Sequence, residues 1–412
     1  MIIVITIFVF SIQTSWAANE KLLTLQDCYQ LALKRSENIA INAQDIKEAE
    51  AQILSSFSGI LPQINYQIYS QWQDNGISGE GSQRNRYRRF TFSQPLFSGF
   101  KEFAAIAAAK AQYKQMTNQL ERAKQLLFID VSDAFYFLQS YQEDLQVLED
   151  VNKALNERAQ ELKRRSKLGR SRESELASAE ASLYKTQADE EGVRSQLEIG
   201  RQLLEFLIGQ PLESLKDEDL PFDSVKNMDE FIARADQRAD VKAAQAALVY
   251  AKKNVVVARA GYWPTVTFNG DAYDRRTGVS KNVAWDLSLN VNVPIFNGTQ
   301  TIGQVQLAQA QEKQAQLTVI QTKRNAILDI QNSYTRYTLS LKTEFVLKKS
   351  SDAFLRNYEL QKADYTRSLV SNLDVLDALG DLATARRSYI GAKYQSKRYY
   401  WQLKVASGDL NS

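Results

Sequence analysis

The chain has 412 residues, with 51 Lys+Arg against 48 Asp+Glu, no histidine, one cysteine, 17 glycines and 6 prolines. The two charge signs are interspersed, which leaves no basic footprint for nucleic acid, and the lack of histidine removes the commonest general base and every Ser/His or Cys/His nucleophile. One cysteine builds no disulfide framework or cysteine metal site, and sparse glycine and proline beside 24% charged residues describe long exposed helices, so no catalysis and no cofactor is expected.

The first element is an uncharged apolar run, Ile2 to Phe10, followed by the small-residue site Ser15-Trp16-Ala17. It reads as a secretory signal peptide over residues 1–17; as an anchor it is too short to cross about 30 Å of hydrocarbon. Cys28 follows inside a helical pattern, Leu25 to Leu33, and reads as a small buried residue, not a lipid-attachment or redox site. No other apolar stretch approaches the length of a spanning helix, so membrane contact by the mature chain must use strands.

Between Pro62 and Phe97 the period is two: Ile64, Tyr66, Ile68 and Trp72 alternate with Gln63, Asn65, Gln67 and Gln71, then Phe90 and Phe92 with Thr91 and Ser93. A glycine-rich loop, Asn75 to Ser82, joins the two runs, and Arg84, Arg86, Arg88 and Arg89 follow it. One apolar, aromatic face and one small polar face fit a transmembrane barrel wall. They fit a half-buried sheet on a soluble core as well, but the flanking segments offer no such core. From Phe100 to Ser166 no proline occurs, and Leu127, Val131, Ala134 and Leu138 begin a four-three spacing that runs to Leu162. A single helix of about 65 residues would reach about 100 Å. The alanine-rich stretch Ala104 to Ala111 permits close helix approach. Lys167-Leu168-Gly169-Arg170 supplies a turn, Leu176 to Leu207 a return helix, and Pro211 and Pro221 a linker.

The plan then repeats. Asn38 through Tyr66 recurs as Asp240 through Phe268 at a shift of 202, and Pro95-Leu96-Phe97-Ser98-Gly99 as Pro294-Ile295-Phe296-Asn297-Gly298 at a shift of 199. The second strand pair, about 264–296, has Val266, Phe268, Gly270 and Ala272, then Trp285, Leu287, Leu289 and Val291, on its apolar face; Ile327, Ile330, Tyr334 and Tyr337 mark the second long helix, and Leu373 onward its return. The matched prolines stand where one period gives way to another, as expected of a residue excluded from helix interiors and central strands. The chain thus divides into a first repeat (18–210), a linker (211–226) and a second repeat (227–412). The expected fold is mainly α with β: long coiled-coil hairpins plus four transmembrane strands per chain. Four strands cannot close a barrel; two chains give eight strands and a filled interior, whereas three give twelve and a lumen, so a homotrimer is expected with the polar faces inward.

With these elements in order, the sequence resembles the TolC-type outer-membrane efflux proteins. The resemblance covers nearly all of the mature chain: Thr24 to Lys34, the two proline-bounded hairpins, their Pro-Leu-Phe-Ser-Gly and Pro-Ile-Phe-Asn-Gly exits, Asp374-Val375-Leu376-Asp377-Ala378, and a tail ending near Leu410. It implies a trimer whose twelve-stranded barrel crosses the outer membrane of a Gram-negative bacterium and whose helices form a periplasmic tunnel. That duct serves tripartite efflux or type I secretion, coupled to an inner-membrane pump through a periplasmic adaptor. The alternative is a periplasmic coiled-coil adaptor or structural protein without a pore.

By the same resemblance, Asp374 and Asp377 are the acidic residues of a closed aperture, where three copies form stacked carboxylate rings that favour cations. Tyr365 stands where a tyrosine helps hold such apertures shut, and Glu175 occupies the repeat-related site; a tyrosine hydroxyl to carboxylate bond is expected, against an ordinary solvated helix face. Leu168, Gly169, Arg170, Ser368 and Leu369 form adaptor-docking tips. The family's tips carry aliphatic-Gly-aliphatic at both turns, and the second glycine is missing from Arg367-Ser368-Leu369. The first tip is basic, with Lys163, Arg164, Arg165, Lys167, Arg170 and Arg172, which suits pairing with Asp374 and Asp377, an acidic adaptor surface, or plain solubility. Arg84, Arg86, Arg88 and Arg89 are read as an outer rim that meets lipopolysaccharide phosphates of the outer membrane, or as mobile loop charge.

Overall fold

The computed structural model describes residues 22–73, 83–217, 227–277 and 282–409. The segment 1–17 expected as a signal peptide, the loop Asn75 to Ser82, Pro221 and Leu410 lie outside those residues. In chain order the elements are β1 (Leu22–Leu23), α1 (Leu25–Arg35), α2 (Glu37–Phe57), β2 (Gln63–Gln73), β3 (Gln83–Ser98), α3 (Lys101–Lys167), α4 (Glu173–Ile208), β4 (Ser214–Leu215), α5 (Met228–Ile232), α6 (Ala239–Arg259), β5 (Thr265–Arg276), β6 (Trp285–Asn292), α7 (Gln300–Thr366) and α8 (Asn372–Ala406). The internal repeat is visible in these bounds. Helices α2 and α6 both have 21 residues, and α3 and α7 both have 67.

Two compact units are formed, one from Met1–Arg35, Asp130–Phe222 and Thr343–Arg398, the other from Ser36–Ile129, Asp223–Lys342 and Tyr399–Ser412. In the first, the heptad positions Val151, Leu155, Ala159 and Leu162 of α3 pack with Ala179 and Leu183 of α4 and Leu376, Leu379 and Ala383 of α8. A charge ladder fixes how α3 meets α8: Asp144 accepts from Arg387 (2.7 Å), Glu143 from Lys393 and Tyr394 (2.7 and 2.6 Å), and Asp133 from Arg398 (2.8 Å). Acids on one helix and bases on the other make a register slip costly, because it would bring unlike-charge contacts out of reach. Cys28 is fully buried in α1, and burial pushes its thiol up to about 12, which leaves it an unreactive thiol at neutral pH.

In the second unit, β2, β3, β5 and β6 form one antiparallel sheet in that order. The long helices are entered alike in both copies. Gly99 and Phe100 have φ of +65° and +62°, and Gly298 and Thr299 have +64° and +72°, so two successive left-handed residues stand immediately before each long helix; they follow β3 directly but come after residues 293–297 in the second copy. Glycine is needed at the first of them in copy one, since a Cβ on Gly99 would stand 2.8 Å from Trp263 Cβ. Pro95 departs from expectation, lying inside β3 opposite Thr267. The strand tolerates it because the pairing of β3 with β2 has ended at Ser93, and a bulge between Pro95 and Phe97 takes up the missing donor on the β5 side.

Arg238 is the largest fully buried side chain of this unit. It stands where the first copy has the N-cap Ser36. Its guanidinium donates to Asp240 (2.7 and 3.1 Å), to Asp329 (3.3 and 3.4 Å) and to the carbonyls of Ala326 and Ala406 (3.3 Å each). One cation therefore ties the start of α6 to the middle of α7 and the end of α8.

Candidate functional site

Cross-strand register sorts the sheet into two faces. Ile64 pairs with Phe92, Tyr66 with Phe90, Phe92 with Gly270, Ala272 with Trp285 and Phe268 with Leu289, and Ile64, Trp285, Leu287, Leu289 and Val291 are each about 60% exposed or more. No core covers this face among the described residues, which decides between the two readings of the alternation in favour of a wall facing an apolar surrounding. The other face carries Asn65, Thr91, Asn269, Asp271, Asp286 and Ser288. Ser93 donates to Asn269 (2.8 Å), and Arg89 donates to Asp271 (2.8 Å) and Gln67 (2.9 and 3.0 Å) while stacking on Tyr87.

The four arginines expected at one rim are divided by the pleat. Arg88 lies opposite Ile68, and Arg86 opposite Ser70, on the apolar side; Arg89 lies on the polar side among Gln67, Tyr87 and Asp271. A bulge between Arg88 and Arg89 leaves Asp274 as the extra residue of β5, and this carboxylate meets Arg88 (3.2 Å). Arg84 pairs with Trp72 through its backbone.

At the tips, both turns close alike. Gly169 has φ +64° and Ser368 has φ +59°, and the amides of Gly169 and Arg170 bond back to Ser166 and Arg165 as those of Ser368 and Leu369 do to Tyr365 and Asp364. The missing glycine has thus been replaced without a change of turn, at the cost of a left-handed serine. Ser368→Gly is expected to raise the thermal midpoint, by roughly 0.5–1 kcal/mol of stability, and Gly169→Ala to lower it by about the same amount; a calorimetric scan of both variants checks the opposite signs.

Asp374 and Asp377 are both exposed on the first turns of α8. Asp374 is also a cap: it accepts from the amide and hydroxyl of Ser371 (2.7 Å each), whose hydroxyl in turn receives the Asp374 amide. These Ser371 bonds hold its carboxyl below the usual range. Among the described residues, Tyr365 is bonded to arginine and to no carboxylate. Its hydroxyl accepts from Arg165 (3.1 Å) and its ring lies under the Arg158 guanidinium (3.8 Å), while Glu175 accepts from Ser171 (2.5 Å). The reason is local: Arg158 and Arg165 flank Glu161 on one helix face (2.8 and 2.6 Å), and together they present cations to the tyrosine. Arg158 also donates to the buried Asn372 (2.6 Å). Arg158 and Asn372 escaped sequence reasoning; the spacing of Arg158, Glu161 and Arg165 on one face was the available signal. Among the described residues, none of the tip ion pairs joins the basic residues of the first tip to Asp374 or Asp377; they are Arg158–Glu161, Arg165–Glu161 and Arg367–Asp364.

Comparison with known proteins agrees with this geometry. The profile of the outer membrane efflux protein family matches residues 28–210 and 234–409, and the chain belongs to that family. Among its relatives, the cation efflux system protein CusC of Escherichia coli O157:H7 is 20% identical over 92% of this chain and 84% of its own, and the outer membrane protein TolC of Vibrio cholerae is 22% identical over 96% and 92%. The crystal structure of the Campylobacter jejuni CmeC outer membrane channel superposes with a TM-score of 0.82 at 19% identity, over 93% of this chain and 85% of that one. The protein is an outer-membrane efflux channel, and the reading as an adaptor without a pore is not supported.

Proposed function

We propose that three copies close their sheets into a twelve-stranded barrel with the polar faces lining the lumen, and that the helical repeats, 18–210 and 227–412 about a linker at 211–226, continue it as a periplasmic duct. The observation that carries this is the open four-stranded sheet with two exposed faces of opposite character. A sheet with free edges is an aggregation hazard unless other copies complete it, and twelve strands leave an aqueous interior where eight would not. The duct is a non-catalytic conduit. It takes its cargo from an inner-membrane pump through a periplasmic adaptor that engages the tips at Leu168, Gly169, Arg170, Ser368 and Leu369. Asp374 and Asp377 form the aperture, three of each per trimer, with Tyr365 and Glu175 beside them. The exposure of both carboxylates supports this role.

Two experiments test the reading. Mild-detergent extracts of the membrane fraction should yield a heat-modifiable trimer; a soluble monomer would overturn the pore. In planar bilayers, replacing Asp374 and Asp377 together with Ala should change the conductance and lower the cation preference, since six carboxylates leave the aperture of a trimer. An unchanged current-voltage trace would remove these residues from the aperture and leave Asp374 as a helix cap alone.

A further inference from the structure

We propose that the apolar face of the sheet holds one phosphorylated, multiply acylated lipid of the outer leaflet in a groove along β5, with the acyl chains on Ala272 between Phe90 and Trp285 and the phosphate on Arg86, Arg88 and Arg275. The proposal rests on the reading that this face meets the membrane. The groove has a volume of about 470 Å³: Phe90 and Phe92 form one wall, Trp285 and Leu287 the other, and Ala272 is its open floor, while Leu287 leans over Gly270, its Cδ2 2.9 Å from where a Cβ would stand. Its lower end is closed by Phe268, whose ring meets Phe92 edge-on at 6.1 Å. Its upper end opens toward the hairpin turns, and there the charges begin.

Arg88 pairs with Arg275 across the β3–β5 ladder, directly above the level of Phe90 and Ala272, and Arg86 is the next residue of β3 on the same face. Among the described residues a single carboxylate answers them here: Asp274 lies 3.2 Å from Arg88 and 3.5 Å from the Tyr66 hydroxyl. Three guanidinium groups against one carboxylate is an unfavourable arrangement on a lipid-facing wall. An anion from the membrane itself resolves it, because guanidinium groups bind phosphate through paired, charge-assisted hydrogen bonds. Helices leave the sheet at the Ser98 and Asn292 ends, so the arginines stand at the opposite, outer-leaflet end. That position selects a bisphosphorylated glycolipid over the phospholipids of the inner leaflet.

The test uses the purified full-length protein in mild detergent, with native mass spectrometry of complexes formed with bisphosphorylated lipid A, its dephosphorylated form, phosphatidylglycerol or inorganic phosphate. Bisphosphorylated lipid A should be retained at least about tenfold better than the other three. Arg86→Gln with Arg275→Gln should lose that preference through the headgroup, and Ala272→Leu should lose it by filling the groove with every arginine intact. All variants should keep wild-type conductance in planar bilayers. Equal binding of phosphatidylglycerol, competition by inorganic phosphate at equal concentration, or full retention by both variants would overturn the lipid site while leaving the channel standing. A wild-type protein that neither inserts nor conducts would instead overturn the channel reading, and the lipid site with it.

Discussion

Replacing Arg238 with Ala is expected to cost about 3–5 kcal/mol of the stability of the unit that holds the sheet, enough to abolish folding of a marginal chain. The argument is one of uncompensated groups. Arg238 is fully buried, and its removal takes the main cation from the partly buried Asp240 carboxylate, a second ion pair from the half-exposed Asp329 and a bond from each of two main-chain carbonyls. Burial alone would push the Asp240 carboxyl up; its bonds to Arg238, with the nearby charges of Arg238 and Arg122, outweigh that and hold it below the usual range. A carboxyl held below its unfolded value contributes stability in full above about pH 4, and that contribution drains away as pH falls through the lowered value. In Arg238→Ala, burial pushes the Asp240 carboxyl up, so the acid-side loss through this group should vanish and the deficit against wild type should shrink as pH falls from 7 to 4. Adding Asp240→Ala should recover part of the cost, since one stranded charge goes with it. Urea titrations of the single and double variants at pH 7 and pH 4 check both statements, and equal stability of wild type and Arg238→Ala would refute the role assigned to the buried cation. Arg238→Lys should not rescue, because an ammonium cannot reach two carboxylates and two carbonyls in the planar fork that the guanidinium supplies.

The second large effect separates the two faces of one strand. Leu289→Arg places a guanidinium on the apolar face opposite Phe268, two strand positions from Val291 on one side and Leu287 on the other. Near the membrane midplane an arginine there is expected to cost about 2–4 kcal/mol per chain, repeated three times around a trimer, so inserted protein should fall to background. The neighbouring Asn290→Arg points to the polar face, opposite Thr267, and should leave insertion intact while shifting the pore toward anions. Heat-modifiable trimer in the outer-membrane fraction measures the first effect and reversal potential the second. A sheet half-buried on a soluble core would also lose Leu289→Arg, through an unpaired buried charge, but it would give no heat-modifiable trimer in the membrane fraction and no shift of reversal potential from Asn290→Arg.

Much of this was legible in the sequence, because the signals are periodic. Alternation between Gln63 and Trp72 and between Trp285 and Val291 set the strands and their faces, and the proline-free run after Phe100 set a helix that begins at Lys101 and ends at Lys167. The remainder depends on groups brought together from distant parts of the chain. Nothing near Arg238 in the sequence marks it as buried, since its partners are 88 to 168 residues away apart from Asp240. The β-bulge at Asp274 leaves no trace in composition, yet it sets which charge meets Arg88. At the tip, Tyr365 was placed near carboxylates by resemblance, and the side chains around it proved to be arginines 200 and 207 positions earlier (Arg165 and Arg158). Tight turns are hard to read for another reason: a left-handed serine at 368 looks like any other surface serine until φ is known.

The central claim is a pore of three chains whose polar strand face lines the water. Single-channel recording with a charged, membrane-impermeant thiol reagent tests it directly, and the native Cys28, fully buried, provides a silent background. Ser288→Cys, on the polar face across from Asn269, should lose current in three discrete steps as the reagent reacts once per chain, whereas Leu289→Cys should stay unmodified. Block through Leu289→Cys, no block through Ser288→Cys, or any other number of steps would contradict the account.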